Sequence, residues 1–130
     1  MAERCWRVLV VDDNEIIRQL MRINLELDGF EVHQAADGHE ALRRAGDMQP
    51  DVVVLDVMMP DLDGLEVARR LRAAEATHDI RLVLVSAKAQ AGDVRRGEEA
   101  GVDAYITKPF EPEHLSNVVR RLAAAVPEGS

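Results

Sequence analysis

Short apolar runs without polar alternation are the feature that most restricts the fold of this chain. Residues 8–11 read VLVV, residues 52–55 read VVVL and residues 82–85 read LVLV. Runs of this kind are typical of strands that are covered on both faces, as in a parallel sheet. We therefore expect a parallel sheet with helices packed on both sides of it.

Segments with helical spacing lie between these runs, so that strands and helices alternate along the chain. The predicted strands cover residues 7–11, 31–35, 51–55, 81–85 and 104–107; the predicted helices cover residues 15–28, 65–74, 93–100 and 112–125, with a further helix after Asp37. This alternation predicts an α/β fold with a doubly wound, five-stranded parallel sheet. The strand order 2-1-3-4-5 fits best, and it places the carboxyl ends of strands one and three side by side.

The first predicted helix carries a broad apolar face. Helical spacing relates Ile16, Leu20, Ile23 and Leu27, and Ile17 and Met21 widen the face that they form. Gly29 follows at the position of a helix-ending glycine.

The helix predicted over residues 93–100 differs from the others. Gly97 lies in its interior, where glycine costs about 1 kcal/mol relative to alanine. Its one large aliphatic residue is Val94. A helix with so little apolar surface is expected at the low-stability end of the fold, although a merely marginal surface helix would look the same.

Size and charge indicate one soluble cytoplasmic domain over residues 1–126, followed by a tail at residues 127–130 that resembles the start of a linker. The chain has 130 residues, with 24 acidic against 16 basic side chains, and its formal net charge is -8. An acidic domain repels nucleic acid and anionic membranes, so neither is an expected direct partner. Cys5 is the single cysteine, which excludes an intrachain disulfide.

Acidic residues stand at the ends of two predicted strands. Asp12 and Asp13 follow the first run, and Asp56 follows the run at residues 52–55. Three carboxylates gathered at one edge of the sheet repel each other unless a cation compensates. Magnesium takes one or two carboxylates together with waters. Asp13 and Asp56 are therefore candidate ligands, with Asp12 acting directly or through water.

A hydroxyl and an ammonium group are predicted at the same edge. Ser86 ends the fourth predicted strand, and Lys108 follows the fifth. Phosphoryl transfer requires mostly positioning and charge neutralisation, which Lys108 and Ser86 can supply to phosphate oxygens. A carboxylate can serve as the nucleophile and form an aspartyl phosphate. Asp56, at the centre of the sheet, is the candidate for that role.

Each of these residues also has a plainer explanation. Asp12, Asp13 or Asn14 could simply cap the first helix. Asp56 could begin a turn, since a proline-bearing loop follows it. Ser86 could also be a cap, and Lys108 a solvated surface lysine. Capping does not easily explain why four strand ends together supply acid, acid, hydroxyl and amine.

The chain resembles the receiver domain of two-component response regulators over essentially its whole length. Four segments carry the resemblance: VLVVDDNE, VVVLDVMMPDLDG, LVLVSAKA and AYITKPF. All four occur in order and at the spacing of the family. The likeness is to the chemotaxis-regulator type, with a single domain.

The resemblance implies roles for the acidic residues. Asp56 would accept a phosphoryl group from the phosphohistidine of a histidine kinase. Asp13, Asp56 and the backbone carbonyl of Met58 would hold Mg²⁺, with Asp12 assisting. The domain would be no enzyme towards outside substrates, because it would catalyse only its own phosphorylation and dephosphorylation.

The resemblance also implies a switch. Ser86 and Lys108 would engage the phosphoryl oxygens, and Tyr105 would turn inward as Ser86 moves towards the phosphate. The Lys108–Pro109 peptide bond would be cis. The output face would consist of the fourth helix, the fifth strand and the last helix, and its partner would be a downstream protein, an output domain or a second copy after phosphorylation. We lean slightly towards a stand-alone regulator over a fragment of a longer one.

Rival functions fit the sequence less well. A haloacid-dehalogenase-type phosphatase requires a second aspartate two residues after the nucleophile, where this chain has Met58. A flavodoxin-like flavin carrier requires a phosphate loop without the acids found at residues 12–15. A receiver-like scaffold that is never phosphorylated stays open. Met58 and Lys88 flank the site, and because Met58 cannot orient an attacking water, we predict a phosphorylated form of at least moderate lifetime.

Overall fold

Five parallel strands form one sheet in the order β2-β1-β3-β4-β5, as predicted. The structure is a computed structural model that describes residues 5–87 and 91–125; Lys88 and the predicted tail at residues 127–130 lie outside this part. In chain order the elements are β1 (Arg7–Val11), α1 (Glu15–Leu27), β2 (Glu31–Ala35), α2 (Gly38–Met48), β3 (Val52–Asp56), α3 (Gly64–Ala73), β4 (Arg81–Ser86), α4 (Ala91–Glu99), β5 (Ala104–Thr107) and α5 (Pro112–Ala124).

The strand register aligns the carboxyl ends of the three strands that carry the candidate site. Val11 pairs with Leu55, so Asp12 leaves β1 beside the end of β3. Asp56 pairs with Val85, the residue before Ser86. Ser86 in turn pairs with Thr107, the residue before Lys108. The sheet therefore places the predicted acids, hydroxyl and amine along one edge.

Successive residues of the inner strands feed two separate apolar layers, which explains the absence of polar alternation. Leu9, Val53 and Leu84 contribute to the layer beneath α2 and α3. Val10, Val54 and Val83 contribute to the layer beneath α1 and α5. All six are fully buried, as expected for strands covered on both faces.

Local interactions at the helix ends explain where several helices begin and end. The Oδ1 atom of Asp37 accepts a hydrogen bond of 2.8 Å from the backbone N–H of Glu40 and caps α2. Pro112 occupies the first turn of α5, where its missing N–H is no loss. Gly29 and Gly101 both have positive φ angles, 92° and 91°, which glycine adopts without strain.

The packing of α1 separates apolar residues that the sequence grouped on one face. Met21 and Leu25 are the residues of α1 that are buried against the sheet. Four other residues of the predicted face are exposed, with relative exposures of 73% for Ile16, 62% for Leu20, 46% for Ile23 and 83% for Leu27. The helix carries two apolar rows at helical spacing, and the sheet covers the row that contains Met21 and Leu25. The other row faces solvent.

Helix α4 buries little surface, in agreement with its composition. It begins at Ala91, two residues before the predicted start. Burial is described for residues 92–99 of this helix, and Gly97 is the one residue among them that is buried.

Aromatic residues close the far end of the layer beneath α1 and α5. The rings of Trp6 and Phe30 have centroids 6.4 Å apart, and the guanidinium group of Arg120 lies 5.9 Å from the centroid of Phe30. Arg120 also pairs with Asp28 at 3.3 Å. Within residues 5–87 and 91–125, the helices are all too short or too polar to cross a lipid bilayer.

Candidate functional site

Three carboxylates converge where β1 and β3 end. Asp12, Asp13 and Asp56 each offer an oxygen, and these oxygens all lie within 4.8 Å of one another. Asp12 and Asp56 are 1% and 5% exposed, whereas Asp13 is exposed. The site therefore consists of two buried acids and one that solvent reaches.

Lys108 joins the two buried acids. Its Nζ atom lies 3.3 Å from Oδ2 of Asp12 and 3.2 Å from Oδ1 of Asp56. The backbone N–H of Lys108 donates a 2.7 Å hydrogen bond to the carbonyl oxygen of Ser86, which ties the β5–α5 loop to the end of β4. Lys108 is thus held within the site and is not a solvated surface lysine.

Asn14, and not either aspartate, caps α1. Its Oδ1 atom accepts hydrogen bonds from the backbone N–H groups of Ile16 and Ile17, at 2.9 and 3.2 Å. Asp12 instead accepts a 2.8 Å bond from the N–H of Asn14. Of the three residues that could have capped α1, Asn14 is therefore the one that does. The carboxylates of Asp12 and Asp13 remain at the site.

Arg18 supports the site and was not identified from the sequence. Its Nη1 atom donates to the backbone carbonyl of Asp12 at 2.8 Å, and its Nε atom donates to Oε1 of Gln34 at 3.1 Å. The position resembles any polar helix position, so its partner on the preceding loop could not be read from spacing.

The loop after β3 folds back onto the strand that carries Asp56. The N–H of Gly64 bonds to the carbonyl oxygen of Val57 at 3.1 Å. A Cβ atom at Gly64 would overlap the backbone oxygen of Asp56. Glycine is therefore required here for α3 to begin directly beside the candidate nucleophile.

Burial and charge act in opposite directions at the site. Burial raises the pKa of Asp56, and the neighbouring charge of Asp12 raises it further, while Lys108 lowers it only in part. For Lys108, burial alone would lower the pKa, but the carboxylates of Asp12 and Asp56 outweigh that effect and raise it. Both shifts indicate that one lysine leaves the site with excess negative charge.

The donor set fits a hard divalent cation. Three carboxylate oxygens within 4.8 Å of one another and excess negative charge match the oxygen ligands of Mg²⁺. One of the acids, Asp13, is exposed, which leaves room for the waters that Mg²⁺ keeps. Met58 follows β3 by two residues, with its side chain exposed.

Ser86 and Tyr105 meet at a small cavity beside the acids. Ser86 is buried at the end of β4, and Tyr105 is half-buried on β5. They line a cavity of about 90 Å³ together with Val57, Met58, Leu65, Asp93 and Arg96. The structure thus brings together every predicted side chain of the site and its switch. The predicted cis peptide bond between Lys108 and Pro109 is also present.

Curated relatives share this sequence over about half of their own length. The chain is 42% identical over 116 residues to the DNA-binding dual master transcriptional regulator RpaA of Synechocystis, covering 89% of this chain and 48% of that protein. It is 42% identical over 125 residues to the alkaline phosphatase synthesis transcriptional regulatory protein PhoP of Bacillus subtilis, covering 93% of this chain and 51% of that protein.

Solved structures share the fold over nearly the whole chain. The chemotaxis protein CheY4 of Vibrio cholerae superposes with a TM-score of 0.87 at 32% identity, covering 92% of this chain and 99% of that one. The receiver domain of a sensor histidine kinase from Pseudomonas aeruginosa, which has a magnesium ion coordinated in its active-site cleft, superposes with a TM-score of 0.86 at 29% identity, covering 94% and 100%.

The family comparison agrees with the geometry of the site. The sequence pattern of the response regulator receiver domain matches residues 8–120. This range begins in β1, ends within α5 and includes the acids, Ser86 and Lys108. The chain therefore belongs to the response regulator receiver domain family.

Proposed function

We propose that this domain accepts a phosphoryl group on Asp56 from a phosphohistidine, in a reaction that depends on Mg²⁺. The observation that carries the proposal is the position of Lys108, whose ammonium group lies within 3.3 Å of both buried carboxylates. An acidic pocket with one fixed cation can receive a phosphoryl group, which would otherwise be repelled. A scaffold that is never phosphorylated has no need for such an arrangement.

The proposed transfer exchanges one bond for another. A carboxylate oxygen of Asp56 attacks phosphorus, a P–O bond forms, the P–N bond to the donor imidazole breaks, and the imidazole takes a proton from solvent. The Nζ atom of Lys108 moves from the carboxylates to a phosphoryl oxygen, and the hydroxyl of Ser86 donates to another. Asp13, Asp56 and the carbonyl of Met58, with help from Asp12, would hold Mg²⁺, which would supply positive charge to the phosphoryl oxygens.

Labelling with a small phosphodonor tests this proposal. We expect acetyl phosphate and Mg²⁺ to add one phosphoryl group per chain, measured as a mass increase of the intact protein, and chelation to abolish it. Asp56→Asn should remain unlabelled. Asp63→Asn is the matched control, because Asp63 caps α3 through the N–H of Glu66 and asparagine caps equally well.

The same experiment separates the rival functions. Labelling of Asp56→Asn at the parent level would refute Asp56 as the acceptor. A parent chain that takes up no phosphoryl group would favour the scaffold. Rapid, multiple-turnover hydrolysis of an unrelated phosphomonoester would favour a phosphatase.

We also propose that the phosphodonor docks on the exposed apolar face of α1. That face borders a groove of about 660 Å³, and the residues that line the groove include Leu20, Ile23, Leu27, Pro109 and Phe110. Lys108 lines this groove as well and contacts Asp56, so a partner seated there would be continuous with the phosphoryl site. The occupant that we propose for this groove is an apolar surface of the donor protein next to its phosphohistidine.

Polar substitutions on this face test the docking proposal. Leu20→Ser and Leu27→Ser together should reduce phosphoryl transfer from a purified donor protein by about tenfold or more, since two large contacts of an interface are lost, and leave labelling by acetyl phosphate unchanged. Glu26→Ser is the control on the same helix, where Glu26 makes an exposed pair with Arg22. Equal loss with both donors would place the defect in the site and refute docking on this face.

The remaining parts of the proposal concern output and surroundings. Phosphorylation would act through the face of α4, β5 and α5, with Tyr105 as the switch, on an output domain, a downstream protein or a second copy. The relatives named above are described as DNA-binding or transcriptional regulators, which makes an attached DNA-binding output one candidate. For the receiver itself we propose no direct contact with DNA or a membrane, and a cytoplasmic location.

A further inference from the structure

Gly97 brings α4 unusually close to the sheet at Tyr105. A Cβ atom built on Gly97 would lie 3.2 Å from Cδ1 of Leu84, 3.2 Å from Cδ2 of Tyr105 and 3.3 Å from Cγ2 of Val102. These separations are shorter than ordinary carbon–carbon contacts of about 3.5–4.0 Å. A side chain at position 97 would therefore press against the ring of Tyr105.

The three neighbours differ in their freedom to yield to an added methyl group. Leu84 is fully buried on β4, which has a strand on either side. The N–H of Val102 bonds to the carbonyl oxygen of Gly97 itself at 3.2 Å, so Val102 is tied to the same turn. Tyr105 is half-buried on the edge strand β5 and lines the cavity of about 90 Å³ beside Ser86. The free volume next to the contact is thus on the Tyr105 side.

We propose that Gly97 is a positioning residue for Tyr105: the absent side chain lets the ring rest against α4, and any side chain at this position drives the ring towards the cavity beside Ser86. The consequence for signalling rests on the proposed function, in which inward movement of Tyr105 accompanies phosphorylation. Gly97→Ala then shifts the switch towards the phosphorylated arrangement without any phosphate.

The single tyrosine of the chain allows a direct test. Labelling with ¹³C-tyrosine gives ring signals from Tyr105 alone. In the absence of any phosphoryl analogue, we expect Gly97→Ala to move these signals in the direction that beryllofluoride and Mg²⁺ move them in the parent. Gly92→Ala, on the same helix, and Gly46→Ala, inside α2, should leave them in place, because a Cβ atom at either glycine meets nothing within 4 Å. All three changes raise helix propensity, so a shift in all three, or none in Gly97→Ala, refutes the proposal.

Titration with beryllofluoride and Mg²⁺ separates this inference from the proposed function. We expect Gly97→Ala to reach half-saturation at a several-fold lower concentration than the parent, since a population already shifted needs less ligand energy. An unchanged or raised midpoint, with the ring signals displaced, would refute the signalling part. If the parent binds no beryllofluoride, the proposed function fails, whereas the position of the ring is still decided by the ligand-free spectra.

A double-variant cycle applies even if Gly97→Ala weakens the fold. We expect Gly97→Ala to lower the urea concentration at the midpoint of unfolding. In the Tyr105→Ala background the same change should lower it much less, because the ring that the methyl group meets is gone and contacting residues couple. Val102→Ala is the matched comparison and should reduce the loss less. Recovery with Val102→Ala but not with Tyr105→Ala would show that Val102 is the neighbour that yields, and would overturn the assignment.

Discussion

The sheet carries a charged cluster at each of its two ends, and the two clusters are built in opposite ways. At the amino ends of the strands, the carboxylate of Asp103 meets two arginines, Arg72 at 2.8 Å and Arg81 at 3.5 Å. At the carboxyl ends, three carboxylates lie close together, and Lys108 pairs with two of them, Asp12 and Asp56. The first cluster has more cation than anion, and the second has three anions for one cation.

The cluster around Arg72 connects three segments of backbone. The Nε atom of Arg72 donates to the carbonyl oxygen of Gly101. The Nη1 atom of Arg72 donates to the carbonyl oxygens of His78 and Ile80. Asp103 also accepts a 2.8 Å bond from the N–H of Leu82. Charged groups that are hydrogen-bonded in this way hold the α3–β4 loop and the turn after α4 together.

The comparison shows that excess negative charge at a buried carboxylate marks function better than the mere presence of charged residues does. Arg72 and Asp103 pair with each other and bond to backbone groups of the protein, so they serve the fold. In the acidic cluster the pKa of Asp56 is raised. The folded state is therefore less stable with this carboxyl group ionised than with it protonated. Strain of this kind persists at sites where a ligand or reaction relieves it.

Loss of Arg72 should be the largest of the stability effects. Arg72→Ala leaves three carbonyl oxygens and the carboxylate of Asp103 without this donor, and breaking a partly buried network of this kind costs about 3 kcal/mol. Urea unfolding measures the change, and acetyl phosphate labelling at low temperature should persist. Arg70→Ala, on the exposed side of the same helix, should cost less than about 0.5 kcal/mol. If the two variants lose the same free energy of unfolding, the Arg72 cluster has no special role in the fold and the comparison between the two ends of the sheet fails.

Loss of Lys108 should destabilise less, and Mg²⁺ should offset the loss. Lys108→Gln leaves Asp12 and Asp56 facing each other, at a cost of about 2 kcal/mol without Mg²⁺, because a buried charge has lost its partner. Adding Mg²⁺ should stabilise the variant more than the parent, since the ion binds the folded state. Thermal unfolding with and without Mg²⁺ measures both. If Mg²⁺ does not stabilise the Lys108→Gln variant, the proposal that this site binds Mg²⁺ is refuted.

Removal of the charge on Asp56 should have the smallest effect and the opposite sign. The folded state raises the pKa of this carboxyl above its ordinary value of 3.8. It therefore binds the proton more tightly than the unfolded state, and ionisation costs stability as the pH rises. Asp56→Asn should melt a few degrees higher than the parent at pH 7 without Mg²⁺. This gain should disappear as the pH falls below the ordinary value, where both states of the parent are protonated.

Asp47→Asn is the control for that gain. It makes the same change in formal charge on the exposed surface of α2, and its melting temperature should follow the parent at each pH. If Asp56→Asn were less stable than the parent at pH 7, the acidic cluster would be a stabilising feature of the fold, and the contrast between the two ends would fail.

The strand order and the acidic site were predictable because both depend on features that are continuous in the sequence. An apolar run followed by an acid fixes both the strand and the end at which the acid lies, and parallel pairing then gathers Asp12 and Asp56. The orientation of α1 was not predictable in the same way. Leu20 and Met21 are neighbours in the sequence, both fit a helical repeat, and only the packing of the whole helix decides which one faces the sheet.

Contacts between distant segments account for what else the sequence did not predict. Arg72 bonds to backbone carbonyls, which carry no sequence signal. Gly97 counted as a weakness of its helix because propensity refers to an isolated helix. In the structure it permits a close approach to Tyr105, a reason that exists only once α4 and β5 are side by side.

The aromatic contact between Trp6 and Phe30 has a practical consequence for spectroscopy. Trp6 is the single tryptophan, and it precedes β1, whereas the acids follow that strand. Five strand residues lie between Trp6 and Asp12, so six residue steps separate the two, a distance of roughly 20 Å at about 3.3 Å per residue. The fluorescence of Trp6 should therefore change when the contact with Phe30 is lost on global unfolding. It should change little when Asp56 reacts.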